Sequence, residues 1–286
     1  MAMNSRRKTT LIRGGALVLD TEVQHGDLLV EGEKIAGLGR LDSSRADTLI
    51  DAAGLIVLPG GVDTHVHFND EFMGTVSVHD YESGTRAAAY GGVTAVVDFS
   101  NQGARDPLIE TVARKKEEAG GRALIDWGVH PVITRPGPET YAEIPEVVDA
   151  GAPTIKCYLT YKSEGIMVEP EDLKVILRSL HRCGGMLMVH AEDNDALERN
   201  IPRLIESGMT TPIYHARSRP PEVETAAVRR SIETVRETRG RLFIVHLASA
   251  EGLDLVASAQ EEGLDVYAET CTHYLIFTED MLERIA

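Results

Sequence analysis

The sequence predicts an α/β protein: a TIM-type (β/α)8 barrel lacking its eighth strand, preceded by a small β domain. Three observations predict it. Seven apolar, β-branched runs of strand length alternate with amphipathic stretches of helix length, the pattern of βα units around a parallel sheet. Residues 1–56, in contrast, carry only short extended runs between glycine-containing turns. The length of 286 residues fits one large barrel with an attachment, or roughly two domains at about 150 residues each.

Taken in order, residues 1–56 offer runs such as Leu28-Leu29-Val30 and Leu49-Ile50, separated by turns at Gly14-Gly15, Gly26-Asp27, Gly32 and Gly37, and these predict small antiparallel strands. Barrel strands are expected within 55–68 (LIVLPGGVDTHVHF), 93–100, 122–133, 153–161 (PTIKCYLTY), 185–192 (GMLMVHAE), 241–249 (RLFIVHLAS) and 264–275 (LDVYAETCTHYL), so the second domain runs over 57–286. Helices fall between them. Pro107 and Gly120 bracket one, Pro170 and Gly184 another, and residues 222–238 present Val223, Ala226, Ala227, Ile232 and Val235 as an apolar stripe suited to barrel packing. After Ile276 only TEDMLERIA remains, which reads as a helix start, so no eighth strand is found. An open doubly wound sheet would tolerate seven strands, but it usually brings a Gly-rich phosphate loop after its first strand, where this chain has NDEFMGT.

Composition excludes several functions. With 29 basic against 45 acidic residues the net charge is −16, which repels phosphate backbones and anionic lipid, so neither nucleic acid nor a membrane surface is an expected partner. The N-terminus has only short apolar runs broken by Arg13 and Gly14, and no uncharged stretch reaches the 18 or so residues of a membrane span. No export signal or anchor is expected. Cys157, Cys183 and Cys271 are odd in number and widely spaced, which argues against a disulfide framework and for a reduced, cytoplasmic protein.

In such a barrel the chemistry sits at the C-terminal ends of the strands. The first strand ends His65-Val66-His67, and strand alternation puts both imidazoles on the inner face; His190 ends the fifth strand and His246 the sixth. Four imidazoles from three strands suit a transition metal better than they suit packing. Lys156 stands inside the fourth strand between Ile155 and Cys157, with Tyr158 on its own face, where a lone ammonium is expensive. It can snorkel, pair with a carboxylate, or react with CO2 to become an anionic carbamate able to bridge two metal ions, and residue chemistry alone leaves the three open. His25, His79, His181 and His215 read as surface residues in loops or helices, while His130 and His273 read as strand ends near the site. Asp63 and Asp98 read first as groups that orient imidazoles or pair locally and second as metal ligands, and Cys157 and Cys271 as small buried apolar residues before thiolate ligands.

The ordered set GVDTHVHF, the strand-four lysine in IKCYLTYK, MVHAE, VHLAS and AETCTHYL resembles the cyclic amidohydrolases, and among them the hydantoinase and dihydropyrimidinase family, over nearly the whole chain. The resemblance implies that His65 and His67 hold one metal ion, that His190 and His246 hold a second, and that carboxylated Lys156 bridges them. The ions would be two divalent metals, Zn2+ first, with Mn2+, Fe2+, Co2+ or Ni2+ also compatible. It further implies that Tyr161 binds the substrate and steadies an oxyanion, that Phe72 and Tyr158 line the substrate, and that the small substrate is a cyclic amide or ureide opened at its C–N bond. Residues 1–56 would be the first part of an incomplete β-sandwich domain, and the assembly a homotetramer.

The family's strand-eight Asp, which binds metal and carries the proton, has no counterpart before Ala286. The expectation is therefore an N-terminal part of an enzyme, with open apolar strand edges if the chain ends there. Allantoinase is the nearest alternative activity. Dihydroorotase is disfavoured because Asn69 stands where that family has Arg. A non-catalytic dihydropyrimidinase-related scaffold is the alternative of another class, which retention of the four histidines and Lys156 opposes, and an inactive truncated product is the third.

Overall fold

The computed structural model describes residues 7–43, 46–72, 74–103 and 105–285; the segment 1–6, on which part of the export-signal reading rests, lies outside them. The chain divides into two compact units, 1–61 and 62–286.

The first unit is one five-stranded sheet. Strand β1 (Thr9–Val18) pairs antiparallel with β2 (Val23–Glu31), which pairs antiparallel with β3 (Lys34–Gly39), whereas β4 (Thr48–Asp51) and β5 (Ile56–Val57) run parallel to β1. The expectation of purely antiparallel strands is thus corrected, because the chain crosses back to β1 after β3 instead of adding a hairpin. His25 likewise lies on β2 and not in a loop or helix. A register shift in β1 between Ile12 and Gly15 is made at Gly14, whose φ of +73° a side chain would resist, and Asp27 fixes it by accepting from the Gly14 and Leu41 amides.

The second unit is a parallel sheet of seven strands whose spatial order is their order in the chain: β6 (Gly61–Val66), β9 (Val93–Asn101), β10 (Asp126–Ile133), β11 (Thr154–Tyr158), β12 (Met186–His190), β13 (Leu242–Ile244) and β14 (Val266–Ala268). Its fold class is therefore α/β, a seven-stranded partial barrel. A small hairpin, β7 (Glu71–Phe72) and β8 (Thr75–Val76), follows β6. Helices α1 (Tyr81–Tyr90), α2 (Leu108–Ala119), α3 (Pro138–Asp149), α4 (Pro170–Cys183), α5 (Asn194–Glu206), α6 (Ile213–Ser218), α7 (Pro221–Thr238) and α8 (Ala250–Glu261) connect the strands. Local chemistry sets their ends: Asp80 and Ser83 form a capping box at α1, and Gly184 stops α4 in the left-handed conformation at φ +75°. The sixth and seventh strands are shorter than expected: β13 ends at Ile244, two residues before His246, and the chain leaves the sheet after Ala268 and makes a 3-10 turn over Thr272–Leu275. No helix among the described residues is long and apolar enough to cross a membrane.

Alternation along each strand separates packing from chemistry. Ile155 and Cys157 of β11, Leu187 and Val189 of β12, and Leu242 and Ile244 of β13 point outward into one core with Ile144, Leu177, Leu180, Val228, Ile232 and Val235 from the helices. Each fully buried aliphatic side chain there contributes roughly 1.5–3 kcal/mol. The opposite face carries Lys156, Tyr158, Met188 and His190, and its smaller apolar cluster joins Phe99, Val132, Tyr158, Met188 and Val245. One sheet face is spent on stability, which frees the other for polar residues.

Candidate active site

His65, on β6, and His67, just beyond it, follow the period of two onto the inner face, where both rings lie against Phe99 at 4.6 and 4.8 Å between centroids. The His65 ring is 5.3 Å from that of His67 and 5.6 Å from that of His246, which in turn is 4.6 Å from His190. All four expected imidazoles thus form a continuous row: His65 and His190 stand on β6 and β12, and His67 and His246 follow the ends of β6 and β13 by one and two residues. Lys156 is 2 % exposed, with its Nζ 4.8 Å over the Phe99 ring and 5.3 Å over that of Tyr158. Burial pulls its ammonium down to about 8, a fall that nearby Glu269 opposes.

Three of the four imidazoles are held on one ring nitrogen by a carboxylate. Glu269 takes His65 Nδ1, Asp70 Oδ2 is 2.8 Å from His67 Nδ1, and Glu192 Oε2 is 2.7 Å from His190 Nε2. Asp70 is itself steadied by Asn101 Nδ2 at 2.9 Å, and Glu269 by the Thr64 hydroxyl at 3.3 Å. A carboxylate on one nitrogen fixes the tautomer and leaves the other nitrogen as a lone-pair donor. Burial holds His65 and His190 below the ordinary imidazole range, and burial together with His190, Lys156 and His65 drives His246 down to about 2. These imidazoles are therefore neutral at pH 7, the form that ligates metal. As the side chains stand, no group of three or more His, Cys, Asp or Glu among the described residues already forms a metal cage. The donor set nevertheless fits a transition-metal centre: four imidazoles in a row, three of them held by carboxylates, beside a buried amine.

An open cleft of about 900 Å³ runs along His190 and His246 and is also lined by Tyr161, Glu192, Arg219 and Tyr274. Tyr161 has φ +67° and His246 φ +39°, conformations that non-glycine residues adopt at a cost and that the surrounding packing must enforce. The Tyr161 ring lies 5.3 Å from His190, 5.7 Å from Tyr158 and 5.6 Å from Phe72, so both expected lining residues stand beside it. Burial pushes the Tyr161 phenol up, which keeps it protonated and able to donate.

Other expectations change. His130 lies within β10 and not at its end; it is 6 % exposed, bonded to the Thr154 hydroxyl and the Thr64 carbonyl, and held down to about 4 by burial. His273 is exposed on the 3-10 turn. Asp63 accepts from the His65 amide at 3.1 Å and not from an imidazole, whereas Asp98 pairs locally as expected, with Lys115 at 3.1 Å, and also accepts from the Phe68 amide at 3.2 Å. Glu192, Glu269, Asp70 and Arg219 were missed as parts of the site. Glu192 could have been found from its place two residues after His190, but nothing in the sequence ties Glu269 to His65 or Arg219 to Glu192.

The amidohydrolase family profile matches residues 56–269, well over half of the chain. The chain is 37 % identical to a D-hydantoinase of Geobacillus stearothermophilus over 278 residues, covering 96 % of this chain and 59 % of that protein. It is 34 % identical to the dihydropyrimidinase of Rattus norvegicus over 265 residues, or 91 % of this chain and 51 % of the relative. A solved D-hydantoinase structure superposes with a TM-score of 0.93 at 35 % identity, over 97 % of this chain and 60 % of the other. The chain thus spans about three fifths of the D-hydantoinases it matches. From its profile match and its seven-stranded βα architecture, the chain belongs to the amidohydrolase family.

Proposed function

We propose that this chain carries the metal-binding part of a hydrolase that opens cyclic amides of the hydantoin or dihydropyrimidine type. The observation that carries the reading is the row of four imidazoles, 4.6–5.6 Å between neighbouring rings, beside the buried Lys156. His65 and His67 would hold one divalent ion and His190 and His246 a second, with Zn2+ the first candidate. Bound there, such ions would lower the pKa of a water and polarise a substrate carbonyl.

The chain's own residues do the rest. With its ammonium held near 8, Lys156 presents a fraction of free amine at neutral pH, and that amine adds to CO2 with loss of one proton to give a carbamate. The product is an anion suited to bridging two cations, and it removes the cost of a buried ammonium. Tyr161 donates its hydroxyl to the oxygen on which negative charge develops, held by a backbone that cannot relax freely at φ +67°. Phe72 and Tyr158 offer apolar walls that orient the ring and shed water from it.

The test is elemental analysis and native mass spectrometry of the purified protein, followed by hydrolysis assays on hydantoin, dihydrouracil and allantoin. Two metal ions, a CO2 adduct on Lys156 and turnover of hydantoin or dihydrouracil are expected. Absence of metal after loading with Zn2+, or turnover of allantoin alone, would overturn the assignment.

A further inference from the structure

Arg219, on the lining of the cleft, is tied to several neighbouring side chains. Arg219 Nε lies 3.1 Å from Glu192 Oε1, and the other oxygen of that carboxylate holds His190 Nε2 at 2.7 Å. The same guanidinium reaches the Ser218 hydroxyl at 2.7 Å through Nη1, and Arg219 and Tyr161 line the same cleft beside His190. Arg219 and Glu192 keep only 19 % and 14 % of their side chains exposed. Arg219 precedes Pro220 and Pro221, which restrict the backbone where α7 begins. The bracket is closed from behind: the Asp193 amide donates to the Val223 carbonyl at 3.0 Å, and Arg230 pairs with Asp193 at 2.6 Å.

We propose that Arg219 is a positioning residue that sets two groups at once, the His190 imidazole through Glu192 and the Tyr161 hydroxyl directly. A planar guanidinium can satisfy both because its donors diverge from a rigid fork, which a lysine ammonium on a flexible stem cannot reproduce. Glu192 then keeps the proton of His190 on Nε2 and leaves Nδ1 facing the cleft as the donor.

The experiment uses the full chain with Arg219→Gln, Arg219→Lys and Glu192→Gln. Nitrogen-15 spectra of histidine-labelled, metal-free protein report the His190 tautomer, and competition with a chelator reports Zn2+ affinity. The wild type is expected to hold its proton on Nε2. Arg219→Gln is expected to give a mixed tautomer and to weaken Zn2+ binding by about 10–100-fold. Arg219→Lys, which keeps a charge on Glu192, is expected to restore the tautomer and Zn2+ affinity while kcat stays down by at least about tenfold through Tyr161. A folded Arg219→Gln protein with wild-type tautomer and Zn2+ affinity overturns the proposal, as does full recovery of kcat in Arg219→Lys. Should Arg219→Gln fail to fold, Glu192→Gln decides the His190 half by the same spectra. The kcat arm rests on the proposed hydrolase activity, whereas the tautomer is read without metal or substrate, so the two can fail separately.

Discussion

Asp98 and Lys115 form an ion pair at 3.1 Å with 0 % and 7 % of their side chains exposed, and together they hold both backbone polar groups of Phe68, the residue after His67. Asp98 Oδ1 accepts the Phe68 amide at 3.2 Å and Lys115 Nζ donates to its carbonyl at 2.7 Å. Phe68 in turn lies so close to Gly84 that a β-carbon there would meet its ring at 2.3 Å. The end of the first strand is thus clamped by charge and by packing, which is what two converging imidazoles need.

Breaking this pair should be costly because it strands a charge in the interior. Lys115→Met is expected to lower stability by about 3–5 kcal/mol, and adding Asp98→Asn should return part of it. Urea denaturation of the two variants checks this; a double variant no better than the single would show that the loss is one of packing.

Glu269 should act on metal binding and not on folding. Glu269→Ala removes the partner of His65 Nδ1, and a loss of about 10–100-fold in Zn2+ affinity is expected with the melting temperature of the metal-free protein little changed. Chelator competition and calorimetry on the same sample separate the two quantities.

His130 should give the fold an acid sensitivity of its own. Burial lowers its folded pKa to about 4 from 6.5, so the unfolded chain takes up the proton first. Its contribution, on the order of 3 kcal/mol, is present above pH 6.5 and is lost as pH falls from 6.5 towards 4. His130→Asn is therefore expected to lose less stability than the wild type between pH 7 and pH 4.5 in urea titrations. Equal losses would assign the acid sensitivity to other groups.

Tyr161→Phe separates chemistry from metal loading. With the hydroxyl gone, kcat for hydantoin or dihydrouracil is expected to fall by about 10²–10³-fold while the metal content stays at wild type. Loss of metal in this variant would mean that the phenol supports the centre and not the oxyanion.

The order of the βα units and the inner-facing placement of His65, His67, Lys156, Tyr158 and His190 were legible because they depend on a period of two along single strands. Strand ends were less so. The seventh strand stops at Ala268, short of the expected Leu275, since strand length is set by the neighbour it pairs with. The parallel pairing of β4 and β5 with β1 was invisible for the same reason: direction within a sheet comes from how the chain returns, not from the composition of the strand.

By itself, then, the sequence determined which residues share the inner face and which donor types meet there, because neighbouring positions on a strand are fixed by backbone geometry. Tertiary structure decided the distant partners, while Asp70 and Glu192 stand within three residues of the imidazoles they hold. Glu269 reaches His65 across 204 positions of sequence, and Arg219, from the turn before α7, reaches back to Glu192 at the end of β12. Such contacts depend on the summed curvature of the sheet and the packing of its helices, and no local pattern encodes them.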